Sequence, residues 1–462
     1  MGGHIPLSRN PHRGAGPPRQ PGRPPHGGTG RPGPPARPRG GPTIRLRIRR
    51  SLQAFPILTR EVNVPATHAL VEDQPAVPRS QEGGQEFQAG HVVTISVGHA
   101  VHDIYTAFLP SLLPVFIANL SLSNAQAGLL TVFLQGPSLL QPFIGHLADR
   151  VSLRAFFILA PAVTGVMMSL LGLAPAYGLL ALLLVAAGIS SASIHAIGPV
   201  IAGQLSGRKL GRGMGFWMVG GELGRTLGPL VIVSAIQLLT LRGTPWLALA
   251  GLLTSAFLYV QLRNVSGAPT AAEQSRPWRA ALKRMGPLLV PLTGIVVARA
   301  FMLAALTTYL PTFLSAEGAD LWYAGAALSI LEGAGVVGAL LGGSISDRWG
   351  RRLILLISLL TTPLLMLVFL AVEGWLQLPL LVILGFTSLS TTPVIMAMVQ
   401  ESFPENRALA NGLYMALSFV IRSVIVVLVG GLGDWLGLRW SFTACAVVTL
   451  LGLPLLFLLP EK

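Results

Sequence analysis

The amino-acid sequence predicts an all-α membrane protein with twelve transmembrane helices in two six-helix bundles. Of its 462 residues, 52% are hydrophobic and 11% are charged, whereas a soluble domain carries about 25% charged residues. The apolar residues form long continuous runs, and about 20 apolar residues suffice for a helix to cross a bilayer. The predicted spans are residues 92–118, 124–147, 153–173, 176–205, 211–240, 244–262, 286–314, 322–346, 352–373, 376–402, 407–432 and 438–458.

The chain also contains an internal duplication. A short phrase follows a long apolar run twice, 198 residues apart: Gly145, Asp149 and Arg150 in the first copy, and Gly343, Asp347, Arg348, Gly350, Arg351 and Arg352 in the second. Gly215 and Arg225 recur 197 residues later as Gly412 and Arg422. Two halves of six spans, with substrate held between them, are typical of transporters that rock one half against the other.

The duplication sets the predicted domain boundaries. Residues 91–262 form the N-terminal bundle, 263–285 a cytoplasmic linker, and 286–460 the C-terminal bundle. Residues 1–90 form a Pro/Gly/Arg-rich tail, in which the first 42 residues include 12 Pro and 11 Gly. Such a composition buries too little apolar surface to offset chain ordering, so the tail is predicted to be disordered.

The net charge of +15 divides into +8 in residues 1–90, with 13 Arg and 5 acidic residues, and +7 in the remainder, where it follows membrane topology. After residue 90, fifteen basic residues fall in alternate loops and termini, whereas Arg242 and Arg439 fall on the opposite side. Lys and Arg in short loops stay cytoplasmic, so both termini are expected inside a plasma (inner) membrane. No nucleic-acid partner is expected.

The sequence gives no sign of an enzyme. The single cysteine, Cys445, excludes a disulfide framework and a cysteine-rich metal site, and is expected to be a small buried apolar residue. No Ser/His/Asp set, metal-ligand spacing or phosphate-binding Gly-Lys-Ser/Thr loop is present, so neither a metal nor a cofactor is expected.

The duplicated phrase resembles the loop motif of the major facilitator superfamily, Gly-x-x-x-Asp-Arg-x-Gly-Arg-Arg, which lies between spans 2 and 3 and between spans 8 and 9. The resemblance implies cytoplasmic gate loops. In them Asp149 and Asp347 would accept hydrogen bonds from helix N-termini or pair with Arg across the seam between the halves. The first copy departs from the motif at Ser152 and Leu153.

Span 5 resembles the antiporter motif of the same superfamily through Gly215, Gly224, Gly228 and Pro229. In proton-coupled exporters this motif is thought to seal the cavity against proton leak. The alternative is a glycine-rich packing face, which is common in membrane helices.

Further fragments resemble the fosmidomycin-resistance group of exporters. They are Ser138-Leu-Leu-Gln141-Pro142, Ser191-Ala-Ser-Ile-His195, Gly220 to Pro229, and His99-Ala-Val-His102-Asp103. That group typically has His-Pro-Glu in span 4, where this chain has His195, Ala196 and Ile197. This chain therefore lacks the span-4 carboxylate of the group, and the resemblance implies no proton site there.

Ionisable residues within spans are costly and mark a substrate or proton pathway or structural pairs. The candidates are His99, His102, Asp103, His195, Glu222, Arg225, Arg299, Glu332 and Arg422. Helical spacing puts His99 beside Asp103 and Glu222 beside Arg225. The alternative role of the Glu222–Arg225 pair is a structural ion pair that stabilises the bundle. Because Phe419 replaces Glu222 in the second repeat, Arg422 is expected to find Glu332, Asp103 or a bound anion.

These observations predict a secondary active transporter working by alternating access. The leading hypothesis is a proton-coupled exporter (antiporter) of small drugs or metabolites, in which Asp103, Glu222 or Glu332 exchanges a proton while an Arg swaps partners. The alternatives are proton-coupled uptake of a small organic anion and a non-transporting membrane sensor. The expected partners are a small-molecule substrate, protons and lipid, and the protein is expected to be a monomer.

Overall fold

A computed structural model describes residues 86–148, 151–263, 278–403 and 407–459, and the regular structure in these ranges is helical throughout. The predicted tail, most of the linker, Asp149 and Arg150 lie outside the described residues. The N-terminal half, residues 86–263, contains α1 (Ala89–Thr106), α2 (Phe108–Leu120), α3 (Asn124–Gln135), α4 (Gln141–Ala148), α5 (Arg154–Ser169), α6 (Tyr177–Ser206), α7 (Leu210–Leu239) and α8 (Ala248–Leu262). The C-terminal half, residues 278–459, contains α9 (Trp278–Ala304), α10 (Leu310–Ala316), α11 (Leu321–Trp349), α12 (Arg351–Ala371), α13 (Gln377–Leu389), α14 (Thr391–Ser402), α15 (Arg407–Leu436) and α16 (Leu438–Leu451).

The predicted class, an all-α membrane protein, is confirmed. Eleven helical segments among the described residues are long and apolar enough to cross a membrane. One of them, Tyr177–Leu239, has 63 residues and is far longer than one crossing needs. It turns at Gly207, whose φ of 48° divides α6 from α7. This segment is long enough for two crossings, so the count of twelve remains a prediction beside the eleven segments found.

Several passages are assembled from shorter helices. The first span breaks at Ala107 between α1 and α2, and a 3₁₀ segment, Gly136–Leu140, joins α3 to α4. Pro137 occupies the start of that segment, where its missing backbone donor is tolerated. α3 begins with a capping box in which Ser123 and Gln126 satisfy each other's backbone amides. Local sequence thus sets where the passages bend and begin.

Helices α1 and α7 pack with their backbones nearly in contact. A Cβ added at Gly224 would overlap the Ala100 carbonyl oxygen, and one added at Gly228 would overlap that of Ile104. Gly220 has the same relation to Ser96, so glycines four residues apart face carbonyls four residues apart. Small residues at this spacing let membrane helices approach closely. Gly215, the first residue of the same motif, has open space around its Cα.

The duplication is visible in equivalent helix contacts within each half. In the N-terminal half, Gly188 of α6 lies against the Leu134 carbonyl of α3. In the C-terminal half, Gly385 of α13 lies against the Leu331 carbonyl of α11. Both glycines and both leucines are related by 197 residues, the offset found in the sequence. The repeat therefore reproduces backbone packing.

Two contacts across the seam between the halves are also related by the repeat: in each, a glycine of one half lies against a carbonyl of the other half. Gly128 of α3 lies against the Val426 carbonyl of α15, while Gly325 of α11 lies against the Pro229 carbonyl of α7. Each residue is again 197 positions from its counterpart. The two contacts define a pseudo-two-fold arrangement about the seam. Cys445, predicted to be buried, is fully buried beside Phe442 in the core of the C-terminal half.

Substituting Val at Gly224 should destabilise the protein, because its side chain would separate α1 from α7. Overpacking of this kind costs about 1–3 kcal/mol, and more where backbone must move. Val at Gly215 is the matched control and should leave stability within about 0.5 kcal/mol, since nothing lies within 4 Å of a Cβ added there. Thermal unfolding of both variants in detergent tests the packing, and equal effects would contradict it.

Candidate functional site

A cluster of imidazole and carboxylate groups lies between α1 and α6. His99 and Asp103 are one turn apart on α1, with His99 Nε2 3.4 Å from Asp103 Oδ2. His195 on α6 approaches from the other side, its Nε2 3.6 Å from Asp103 Oδ1 and 3.3 Å from His99 Nε2. The predicted His99–Asp103 contact is confirmed. The addition of His195 brings together the ligand types for a metal ion, which sequence spacing alone did not indicate.

Backbone carbonyls fix both imidazole rings of the cluster. His99 Nδ1 lies 2.9 Å from the Trp217 carbonyl oxygen, and its ring stacks on the Trp217 indole with centroids 3.8 Å apart. His195 Nδ1 lies 2.9 Å from the Ser191 carbonyl oxygen. A carbonyl only accepts hydrogen bonds, so each Nδ1 carries a hydrogen and each Nε2 faces the cluster. His102 is fully buried next to Asp103, with neither ring nitrogen hydrogen-bonded.

A second centre joins the two halves through Arg225. Its Nη2 donates to Glu222 Oε2 over 2.7 Å within α7, confirming the predicted neighbours. The same nitrogen lies 3.5 Å from Glu332 Oε2 on α11, in the other half. The Glu332 side chain is 12% exposed, while the Arg225 side chain is 43% exposed, so the pair lies at the edge of an accessible space. Arg225 thus has one partner on its own helix and one across the seam.

Arg299 and Arg422 in the C-terminal half are held by hydroxyl groups. Arg422 Nη2 donates to Thr307 Oγ1 over 3.0 Å, and Arg299 donates to Thr392 Oγ1. The Nε of each arginine is buried and has no hydrogen-bond partner. Arg422 interacts electrostatically with Glu332, one of its expected partners, although its hydrogen bond goes to Thr307. These two cations retain donor capacity for an anionic group.

One end of the seam is closed by residues that the sequence did not single out. Asp434 of α15 accepts from the backbone amides of Asn124 (2.6 Å) and Ala125 (2.9 Å) at the start of α3. The buried Tyr309 hydroxyl lies 2.9 Å from the Asn124 carbonyl and 2.8 Å from that of Val426. A carboxylate at a helix N-terminus is stabilised by the amides and by the helix dipole. These contacts hold the halves together at this end.

The predicted gate motif lies at the other end of the helices. Arg351 pairs with Asp347, with Glu401 (2.7 Å) and with the Gly343 carbonyl (3.3 Å). Gly350 provides the turn between α11 and α12 with a φ of 92°. These contacts of Asp347 and Arg351 stay within the C-terminal half, so pairing across the seam remains a prediction. In the first copy, the described residue Gly145 has open space around it.

The helices and the ion pairs between them define a multi-pass membrane protein, and the comparisons with known proteins make it a transporter. The family model of the Major Facilitator Superfamily matches residues 95–387 and 333–462, and the chain belongs to this superfamily. The chain is 26% identical over 380 residues to the fosmidomycin resistance protein of Escherichia coli K12, covering 80% of this chain and 92% of that protein. It is also 26% identical over 389 residues to the MFS-type transporter YfnC of Bacillus subtilis 168, with the same coverage.

Solved structures support the fold. A bacterial homologue of the human lysosomal transporter Spinster, in an inward-facing and unoccupied conformation, aligns with a TM-score of 0.66 and 16% identity. The alignment covers 81% of this chain and 97% of that one. The nucleoside transporter NupG aligns with a TM-score of 0.62 and 14% identity, covering 80% of this chain and 100% of that one. Family membership and fold together make this protein a secondary transporter of small molecules.

Replacing Asp434 by Ala should shift the protein towards a conformer that is open at this end. Loss of a carboxylate that accepts from a helix N-terminus removes about 1–3 kcal/mol of support for the closed seam. Spin labels on cysteines introduced at the exposed residues Asn119 and Ala316 report the separation of the halves, while the native Cys445 is buried.

The matched control is Asp320→Ala. Asp320 also caps a helix, accepting from the Tyr323 amide over 2.9 Å, but it does so within one half. The control should lose stability without lengthening the distance between the labels. A seam distance unchanged by Asp434→Ala would contradict the role of this contact.

Proposed function

We propose that this transporter is a proton-coupled exporter of small molecules and that Glu332 carries the coupling proton. The observation that carries the proposal is the double pairing of Arg225, with Glu222 on its own helix and with Glu332 across the seam. One partner moves with Arg225 in every conformer. The other is available only when α7 and α11 are close.

The pairing supplies a physical coupling step. When Glu332 is ionised it attracts Arg225 and favours the conformer in which the halves meet at this depth. Protonation removes that attraction, while Glu222 continues to neutralise Arg225. Arg225 therefore keeps an ionic partner, which avoids the cost of about 3–5 kcal/mol for leaving that buried charge unpaired. A proton on Glu332 thus weakens one contact between the halves without a large desolvation penalty.

The geometry of the seam supports an inward-facing state. The contacts of Asp434 and Tyr309 close the end opposite the basic loops. Lys and Arg in short loops stay cytoplasmic, so the closed end faces outward and both termini face the cytoplasm. In this state a substrate would enter from the cytoplasm, as export requires. The likeness to the fosmidomycin resistance protein supports export of a toxic small molecule across the plasma membrane.

The remaining predicted features fit this function. We propose that residues 91–262 and 286–460 act as two rocking bundles in a monomer, joined by the linker at 263–285. Gly224, Gly228 and Pro229 would keep α1 and α7 sealed together during the cycle, as the antiporter resemblance implies. The loops with Gly145, Asp347 and Arg351 would latch the cytoplasmic side when it closes.

Uptake of a small organic anion is the second candidate function. It is favoured by Arg299 and Arg422, whose partners are hydroxyl groups and whose Nε atoms are unpaired. Everted vesicles separate the two directions. An imposed proton gradient should drive accumulation of an exported compound, whereas an imported one would be excluded. A sensor would bind its ligand without any flux.

Glu332→Gln should abolish proton-driven transport while retaining exchange of substrate for substrate. The amide keeps the size of the side chain but neither ionises nor attracts Arg225. The conformational change between the bundles should therefore no longer depend on pH. In proteoliposomes we expect proton-driven flux to fall by more than about 10-fold, a change of about 1.4 kcal/mol in coupling, while counterflow persists.

Glu317→Gln is the matched control, because Glu317 also pairs with an arginine, Arg439, but at an exposed position in the C-terminal half. It should leave both activities unchanged. Full proton-driven flux in Glu332→Gln would refute its role, and Glu222→Gln would then be the next variant to examine.

A further inference from the structure

The cluster of His99, Asp103 and His195 has an imbalance of hydrogen-bond donors and acceptors. Each histidine uses its Nδ1 hydrogen on a backbone carbonyl, of Trp217 or of Ser191. In neutral rings both Nε2 atoms are therefore acceptors. They face each other across 3.3 Å and face the acceptor oxygens of a carboxylate. Three acceptor groups converge on one point, and such a point is stable only around a cation.

The distances between the nitrogen and oxygen atoms of the cluster favour a bound metal ion over protons shared between them. A charge-assisted N–H···O hydrogen bond is about 2.7–2.9 Å long. The separations between His99 or His195 and Asp103 are 3.4 and 3.6 Å, and Asp103 Oδ1 has no hydrogen-bond partner. Ligand atoms bound to one tetrahedral Zn²⁺ at about 2.0–2.1 Å lie about 3.3–3.4 Å apart. The 3.3 Å between the two Nε2 atoms and the 3.4 Å from His99 Nε2 to Asp103 Oδ2 match two edges of such a tetrahedron, while His195 Nε2 is nearest to the other carboxylate oxygen, Oδ1.

We infer that His99, Asp103 and His195 bind a divalent transition-metal ion of the zinc class. Two imidazoles and one carboxylate form a ligand set that Zn²⁺ uses where one position remains open. The carbonyls of Trp217 and Ser191 orient the rings from behind, as second-sphere partners of metal-bound histidines do. This inference is independent of the direction of transport and of the role of Glu332.

The site is reachable from one side and closed on the other. The His195 side chain is 34% exposed, whereas His99 and Asp103 are buried, so an ion would enter past His195. His102 Nε2 lies 3.9 Å from Asp103 Oδ1 and outside the group of converging ligand atoms, so the fourth position is left open. Arg225 is the nearby cation, and its charge is balanced by Glu222 and Glu332.

The test is metal binding by the whole purified chain, prepared without a histidine tag and stripped with chelator. Co²⁺ should bind with a stoichiometry of one and give the intense visible absorption of a tetrahedral complex, which Zn²⁺ then displaces. Asp103→Asn and His195→Gln should each weaken binding by more than about 100-fold, since even second-sphere changes weaken metal sites by 10–100-fold. The exposed His146 provides the control, and His146→Gln should bind as the wild type does.

X-ray absorption by the zinc-loaded wild type provides a measurement that does not depend on folding of the variants. Two imidazole nitrogens at about 2.0–2.1 Å and a carboxylate oxygen are expected in the first shell. Three results would overturn the inference: no saturable binding, equal binding by wild type and the two cluster variants, or a first shell with fewer than two imidazoles. The first of these would assign the cluster to protons alone.

Discussion

The structure depends on the direct approach of helix backbones at positions that lack a Cβ. Lipid is as apolar as the side chains that it solvates, so membrane helices gain little from hiding apolar surface and associate through close packing. Gly128 against the Val426 carbonyl and Gly325 against the Pro229 carbonyl bring the halves together in this way. Glu332 lies seven residues beyond Gly325, two turns along α11, and so reaches Arg225 on α7. The packing of small residues thus positions the charges.

A symmetric scaffold here carries asymmetric chemistry. The N-terminal half supplies the imidazoles and Glu222, whereas the C-terminal half supplies Arg299 and Arg422. Asp434, which closes the seam at α3, has the neutral residue Gln237 as its repeat counterpart. On the opposite side of the seam, Trp322 donates instead to the Ser234 hydroxyl over 3.3 Å. The two contacts across the seam, one charged and one between neutral groups, therefore differ in strength.

The sequence predicted those features that follow from helix periodicity alone. The all-α membrane class, the duplication, the His99–Asp103 contact and the Glu222–Arg225 pair all depend on composition or on spacing along the chain. The meeting of His195 with Asp103, and of Arg225 with Glu332, depends on the depth and rotation of separate helices, which one sequence does not determine. Tyr309 was missed because a tyrosine in an apolar run resembles any core aromatic residue. Asp434 was missed because it follows the span at a place where an acidic residue signals only the membrane boundary.

The 3₁₀ segment at Gly136–Leu140 explains a small irregularity in the duplication. Residues before it, such as Leu134 and Leu331, are related by 197 positions, whereas Gly145 and Gly343 after it are related by 198. A 3₁₀ helix rises about 2.0 Å per residue and an α-helix about 1.5 Å, so five residues of the first cover about 10 Å, the length of six to seven of the second. The corresponding stretch of α11 is α-helical throughout and needs an extra residue to span the same depth. The first repeat thus crosses this stretch with one residue fewer, because the greater rise per residue of its 3₁₀ segment supplies the missing length; equal depth, rather than equal residue number, relates the two repeats here.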